Sequence, residues 1–262
     1  MNETPLNTEL NNHLKSLAFR YEQKEFLVGD PSRFMHRIEG DANKELLAFI
    51  ASALSYGSRK QFLPKIQALL DSIVNDAGGD VGKWLTSNAY ETAVPPTPTC
   101  FYRLYTCQTF NNFLKALAEM IKEHGTMKNY IVAYAYRKQT NIDTLTALDA
   151  ITTWFREHNS TGVIPKDTTS SCKRICMFLR WMVRDNSPVD LGLWSDIIDK
   201  RTLIIPMDTH VVQEAMRLGL LASKSTSMSN ARKLSRRLCE IFPDDPMKGD
   251  FALFGLGVDT DK

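Results

Sequence analysis

Leu46-Leu47-Ala48-Phe49-Ile50-Ala51-Ser52-Ala53-Leu54 is almost wholly apolar for more than two helical turns. A run of that length without alternation reads as a helix buried on all sides, and such a helix needs further helices around it. The sequence supplies them. Phe62, Leu63, Ile66, Leu69, Leu70 and Ile73 recur at the spacing of one helix face. Phe101 to His124 is another long helical stretch, with a break expected near Gln108, and Asn129 to Arg137 and Asp143 to His158 continue the pattern. No run alternates for long enough to build a sheet, and there is no repeated period. The expected fold class is all-α, with about ten helices.

Breakers separate these helices. Ser55-Tyr56-Gly57-Ser58, Asn75 to Gly82 and the proline-bearing Thr86 to Thr99 read as connections. Asn159 to Ser171 is a polar break, and the hydroxyls of Thr169, Ser170 and Ser171 offer caps just before Lys173. Ser223 to Asn230 is a second polar turn. A basic helix follows from Ala231 to Phe242, ended by Pro243 and Pro246.

The 262 residues are 43% hydrophobic and 24% charged, enough to bury one large core or two small ones. A net charge of +2 points by itself to neither nucleic acid nor membrane. The five cysteines are odd in number and have no CxxC spacing, so a reduced, cytoplasmic setting is expected rather than a disulfide framework. Cys172 and Cys176 lie one turn apart, with no further ligand type near them in sequence, so no metal, iron–sulfur or other cofactor is expected. The polar MNETPLNTEL segment is unlike a signal or transit peptide, and no apolar run reaches membrane-spanning length.

Two segments carry the candidate chemistry. In the first, Ser171 to Asp185, Ile175, Cys176, Phe178, Leu179, Met182 and Val183 fall in one apolar sector. Lys173 lies opposite, with Arg180 and Arg184 in nearly the same direction, so a line of three cations is expected on the far face. A solvated basic face is the competing reading. In the second, Leu203 to Val212, Pro206 holds Ile205 extended and a helix begins at about Thr209. Its apolar face is Val211, Val212, Ala215 and Met216, and Gly219 is placed to end it. Asp208 is then the N-cap. A carboxylate fixed there can cap alone, or cap and also stabilise a developing cation. His210 beside it is a further ligand type, but the other histidines are scattered.

The Pro206-Met207-Asp208-Thr209-His210-Val211 segment, downstream of a helix led by Lys173, resembles the helix-hairpin-helix DNA glycosylase superfamily. The spacing is most similar to its archaeal 8-oxoguanine glycosylase branch. Through LLAFIASALSYGSRKQF, KRICMFLRWMVR and FALFGLG the whole chain also resembles an uncharacterised bacterial family of similar length. Three features depart from the glycosylase pattern. The Gly-rich hairpin that grips a DNA phosphate has no clear equivalent, since Thr161-Gly162-Val163-Ile164-Pro165 is a poor match and lies several residues early. There is no C-terminal four-cysteine cluster. The base-recognition residues have no match to be carried over from.

The resemblance implies two helical lobes with a cleft between them: 41–184 carrying Lys173, and 1–40 with 185–262 carrying Asp208. It implies a base-excision repair glycosylase, with AP-lyase activity as a further expectation, acting on an oxidised purine such as 8-oxoguanine in duplex DNA. Lys173 would attack the sugar, and Asp208 would stabilise the positive charge that grows there. A lysine amine is protonated at neutral pH, so the site would have to favour its neutral form. The Ser55 to Lys60 break, with Arg59 and Lys60, would lie near the DNA minor groove, or is a plain connection. From Arg217 to Arg237 there are six Lys/Arg and no Asp or Glu. Arg232, Lys233, Arg236 and Arg237 cluster on one helix, as either a phosphate-binding or a solvated face; Arg180 and Arg184 are added as DNA contacts. The alternative reading is a non-enzymatic nucleic-acid-binding protein on the same scaffold, and a weaker third is a helical protein-interaction module.

Overall fold

The computed structural model describes residues 8–260; most of the polar N-terminal segment discussed above lies outside them. In chain order the elements are α1 (Thr8–Tyr21), 3-10 turns at Lys24–Gly29 and Pro31–Arg37, α2 (Asp41–Leu54), α3 (Arg59–Ala77), α4 (Val81–Thr86), α5 (Tyr90–Ala93), β1 (Cys100–Tyr102), β2 (Tyr105–Thr106), α6 (Cys107–His124), α7 (Met127–Lys138) and α8 (Thr144–Glu157). Then come α9 (Lys173–Val183), a 3-10 turn at Lys200–Thr202, α10 (Thr209–Arg217), α11 (Met228–Ile241) and α12 (Lys248–Thr260). The protein is all-α apart from one two-stranded hairpin.

The chain divides into two units: Gly29–Thr168, and Met1–Val28 together with Thr169–Lys262. The division falls at residue 168 rather than 184, so α9 and its Lys173 belong with Asp208 and not with the preceding helices. The reason is chemical. The partners of the α9 arginines come from the last third of the chain and from the end of α1, as shown below.

In the unit 29–168, α2 is the buried helix expected: every residue from Glu45 to Leu54 is buried. Phe49 meets Phe113 of α6 and Phe155 of α8, each at 5.6 Å between ring centroids. Burying side chains of this size contributes about 1.5–3 kcal/mol apiece. Glu45 is a charge inside this core. It is tolerated because its carboxylate accepts the free amides of the first turn of α7, from Met127 at 2.9 Å and Lys128 at 3.3 Å.

The stretch expected to be helical from Phe101 begins its helix only at Cys107. Before it, β1 and β2 pair antiparallel, Tyr102 opposite Tyr105, about a turn in which Arg103 is left-handed at φ 50°. Tyr56 from the α2–α3 connection braces this hairpin: its hydroxyl donates to the Tyr102 carbonyl at 3.2 Å and accepts the Leu104 N–H at 3.3 Å. Strands of two and three residues are too short to leave an alternation in the sequence.

In the other unit, α9 is surrounded. Ile175, Cys176, Phe178, Leu179, Trp181, Met182 and Val183 are all buried. The chain after it folds back over its C-terminus, where Leu191 N–H donates to the Trp181 carbonyl at 2.8 Å and Trp194 N–H to the Met182 carbonyl at 2.7 Å. α12 packs against α1 and α10. It does so through glycines. A Cβ added at Gly255 would lie 2.2 Å from Cγ of Tyr21, and one at Gly257 would lie 2.7 Å from Cβ of His210. Phe26 closes the same seam with its ring 5.0 Å from that of Phe251.

Candidate functional site

The site starts from an extended, buried segment. Leu203 to Met207 are buried, and Ile205 N–H donates to Ser235 Oγ of α11 at 2.9 Å. This pins the chain as it enters α10. Asp208 is the N-cap, and its Oδ1 accepts the Val211 N–H at 2.9 Å. Gly219, left-handed at φ 69°, follows the end of the helix as expected.

Asp208 has a second oxygen. Its Oδ2 lies 3.6 Å from Nζ of Lys173, with side-chain exposures of 14% for the acid and 36% for the lysine. One carboxylate oxygen therefore caps the helix while the other faces the amine. The two residues predicted to act together do meet, within one unit.

The start of α9 differs from expectation. Thr169 to Ser171 do not cap it. The N-cap is Cys172, in the left-handed region at φ 47°, with no side-chain cap. The hydroxyl-rich stretch instead pairs along its backbone with the lead-in to α11, Ser171 N–H donating to the Thr226 carbonyl at 3.2 Å. Lys173 follows directly, so this pairing sets where its side chain begins.

The line of three cations on α9 exists, but it is not a solvent face. Arg180 and Arg184 are 4% and 1% exposed. Arg180 Nη1 donates to Asp250 Oδ2 at 2.6 Å, and its Nε lies 3.3 Å from Asp190 Oδ1. Arg184 reaches Asp190 at 2.5 Å, Asp245 at 2.7 Å and Glu22 at 2.6 Å. Both guanidinium groups also sit over the Phe251 ring, at 4.5 Å and 5.2 Å. Burial would pull the Arg184 guanidinium down, but Asp190, Asp245 and Glu22 more than reverse this and raise it. These two arginines are thus spent on internal carboxylates, and their assignment as DNA contacts is corrected: a phosphate could not reach them. Every cation in the line meets an acid, and only the outermost, Lys173, is open to solvent.

The remaining predicted residues keep a surface position. On α11, Arg232, Lys233 and Arg236 are exposed and Arg237 is half-buried, opposite the buried Ala231, Leu234 and Leu238. Arg217 is held by the buried Glu214 at 2.5 Å. Arg59 is half-buried and Lys60 exposed in the first turn of α3, in the unit 29–168. His210 turns toward α12, its ring 6.1 Å from that of Phe254. Among the described residues no three His, Cys, Asp or Glu side chains are grouped to hold a metal ion, and all five cysteines are free thiols.

Glu22, Asp190, Asp245 and Asp250 did not stand out in the sequence. A signal was present in the arginines themselves: Arg180 and Arg184 interrupt an otherwise apolar FLRWMVR run, and buried cations require buried acids. Asp250, an acid just before the apolar FALF, was a readable partner.

The protein is thus all-α, with a half-exposed lysine and a capping aspartate at the end of a line of buried ion pairs. The chain belongs to the family described as a protein of unknown function (DUF2400), which matches residues 30–259. No curated protein and no solved structure matches the chain.

Proposed function

We propose that this protein is a DNA base-excision glycosylase with AP-lyase activity, acting on an oxidised purine such as 8-oxoguanine in duplex DNA. The observation that carries the reading is the Lys173–Asp208 pair, an amine 3.6 Å from a carboxylate that a helix N-terminus holds in place. The base leaves with the electron pair of its bond to the sugar, and the Lys173 amine forms the new bond at C1′. Lys173 attacks as the neutral amine, its ammonium proton lost to solvent; Asp208 stays ionised to stabilise the cationic sugar, and the proton released by the new C1′–N bond passes to the departing base. Loss of the ring oxygen bond then gives a Schiff base, from which elimination breaks the strand.

The exposed Arg232, Lys233 and Arg236, with Arg237, Arg59 and Lys60, are the proposed phosphate contacts. Counter-ion release makes such binding fall with salt. The reading puts the protein in the cytoplasm, where free thiols persist. No helix among the described residues is long and apolar enough to cross a membrane.

Borohydride trapping on duplexes holding an abasic site or 8-oxoguanine is the test. A covalent adduct is expected, with Lys173→Ala reducing it at least about a hundredfold. A second reading, a non-enzymatic DNA-binding protein, is favoured by the start of α9, where a left-handed Cys172 stands without a Gly-rich hairpin before it. Tight, salt-dependent binding with neither adduct nor base release selects that reading.

A further inference from the structure

The hairpin of the unit 29–168 ends in a leucine that touches nothing in the core: Leu104 is 87% exposed. An exposed leucine is ordinary by itself, but this one stands on a braced turn. The Tyr56 hydroxyl accepts the Leu104 N–H at 3.3 Å and donates to the Tyr102 carbonyl at 3.2 Å, and the Tyr102 hydroxyl donates back to the Tyr56 carbonyl. The Tyr56 ring also meets those of Tyr102 and Tyr105 edge-on, at 5.0 Å and 5.1 Å. One side chain from the α2–α3 connection thus ties both strands together just below the tip.

The turn keeps a cation at a strained place. Arg103 is left-handed at φ 50°, where glycine would be easier. Its guanidinium lies 5.7 Å from the Tyr56 ring centroid, and a Cβ added at Gly57 would come within 2.5 Å of its Nη1. Gly57 therefore leaves the room that Arg103 occupies. Further cations lie on the same two segments. Arg59 and Lys60 begin α3 just beyond Gly57, and Lys65 Nζ sits 5.1 Å from the Phe101 ring centroid of β1. Neither segment brings an acid: there is no Asp or Glu from Ser55 to Leu70 or from Thr92 to Ala118. An apolar point accompanied by four cations and no acid complements a polyanion with an apolar interior.

We propose that Leu104 is a wedge that enters the base stack of duplex DNA, with Arg103, Arg59, Lys60 and Lys65 on the flanking phosphates. Apolar side chains part base steps in this way while cations hold the backbone. A bilayer is a poorer match, because one leucine offers too little apolar surface to anchor there. The gap opened at a single base step is filled by one side chain. The proposal rests on the reading of this protein as one that binds DNA, and not on the lyase chemistry.

The four native tryptophans are buried, so Leu104→Trp places an exposed reporter at the tip. Bases that stack on an indole quench its emission. Titration of the full chain with a duplex holding an abasic site is expected to lower that emission at least about twofold, in step with binding read by anisotropy of the labelled duplex. Val74→Trp, at an exposed position about 20 Å along α3 from its first turn, is expected to stay unchanged. Leu104→Ala is expected to weaken binding roughly tenfold with the same salt dependence, since a leucine releases no counter-ions. Lys60→Ala is expected instead to reduce the salt slope by about one. A bound duplex that leaves the Leu104→Trp emission unchanged, or that quenches Val74→Trp equally, overturns the proposal. So does a response to phosphatidylserine vesicles without one to DNA, which would mark a membrane contact. Failure to bind any duplex at low salt overturns the DNA reading and the wedge together. Binding and quenching without borohydride trapping removes only the lyase chemistry and supports the wedge.

Discussion

Asp208 uses its two oxygens for different ends, and substitution can separate them. Asparagine caps a helix about as well as aspartate, whereas alanine does not cap at all. Asp208→Asn is therefore expected to melt within a few tenths of a kcal/mol of the native protein, and Asp208→Ala to lose about 1 kcal/mol. Both remove the negative charge facing Lys173, so both are expected to lower borohydride trapping by a factor on the order of a hundred or more. Thermal unfolding and trapping measured on the same two variants check this. If asparagine trapped as well as aspartate, the carboxylate would be a cap alone. The cap was legible in the sequence because Pro206, Asp208 and Gly219 are local signals. The fate of Arg180 and Arg184 was not. Helical spacing placed them on one face with Lys173, but spacing does not say what covers a face, and the carboxylates that cover it are distant in sequence.

Helices were readable where periodicity is strong, as in α3 and α8, or where an apolar run is unbroken, as in α2. What failed was the hairpin before α6, whose turn depends on a left-handed Arg103 and on Tyr56 from a remote connection. α12 shows a further element-scale effect. Glycine inside a helix is unfavourable by about 1 kcal/mol relative to alanine, so FGLG reads as a weak helix. Its glycines are explained by the helices they let approach. At Gly255 a methyl group would lie 2.2 Å from Cγ of Tyr21, an atom that turning the ring about its own axis does not move. Gly255→Ala is thus expected to destabilise by about 1–3 kcal/mol despite its better helix propensity. Urea denaturation reads the change, and a stabilised variant would mean that α1 and α12 do not pack as described.

At the scale of the whole molecule, one unit is continuous and the other is not. Residues 29–168 have their own aromatic core, and the side-chain caps of α4, α6, α7 and α8 all come from within them. They are expected to fold alone, with a cooperative melt. Residues 169–262 lack α1, and with it Glu22 for Arg184, Tyr21 against Gly255 and Phe26 against Phe251. Expressed alone they are expected to be unfolded or aggregated, and to recover helicity when a peptide of residues 8–28 is added. Circular dichroism of the three samples decides. The sequence division at 184 missed this because it followed the resemblance; the partners of α9 could be read only once its arginines were seen to be buried.

That discontinuity also bears on how the chain is made. Of the described helices α1 is made before all the others, and α12, the helix whose glycines receive it, is made after all of them. The intervening unit can complete its core in the meantime, since domains tend to fold as they emerge. Until α12 is made, Leu14, Leu17 and Phe26 lack the helix they pack against, and until α9 is made Glu22 lacks Arg184. Contacts so far apart in sequence close slowly. The nascent protein therefore carries an unsatisfied amphipathic helix through nearly the whole of its synthesis, a segment that a holdase chaperone would recognise.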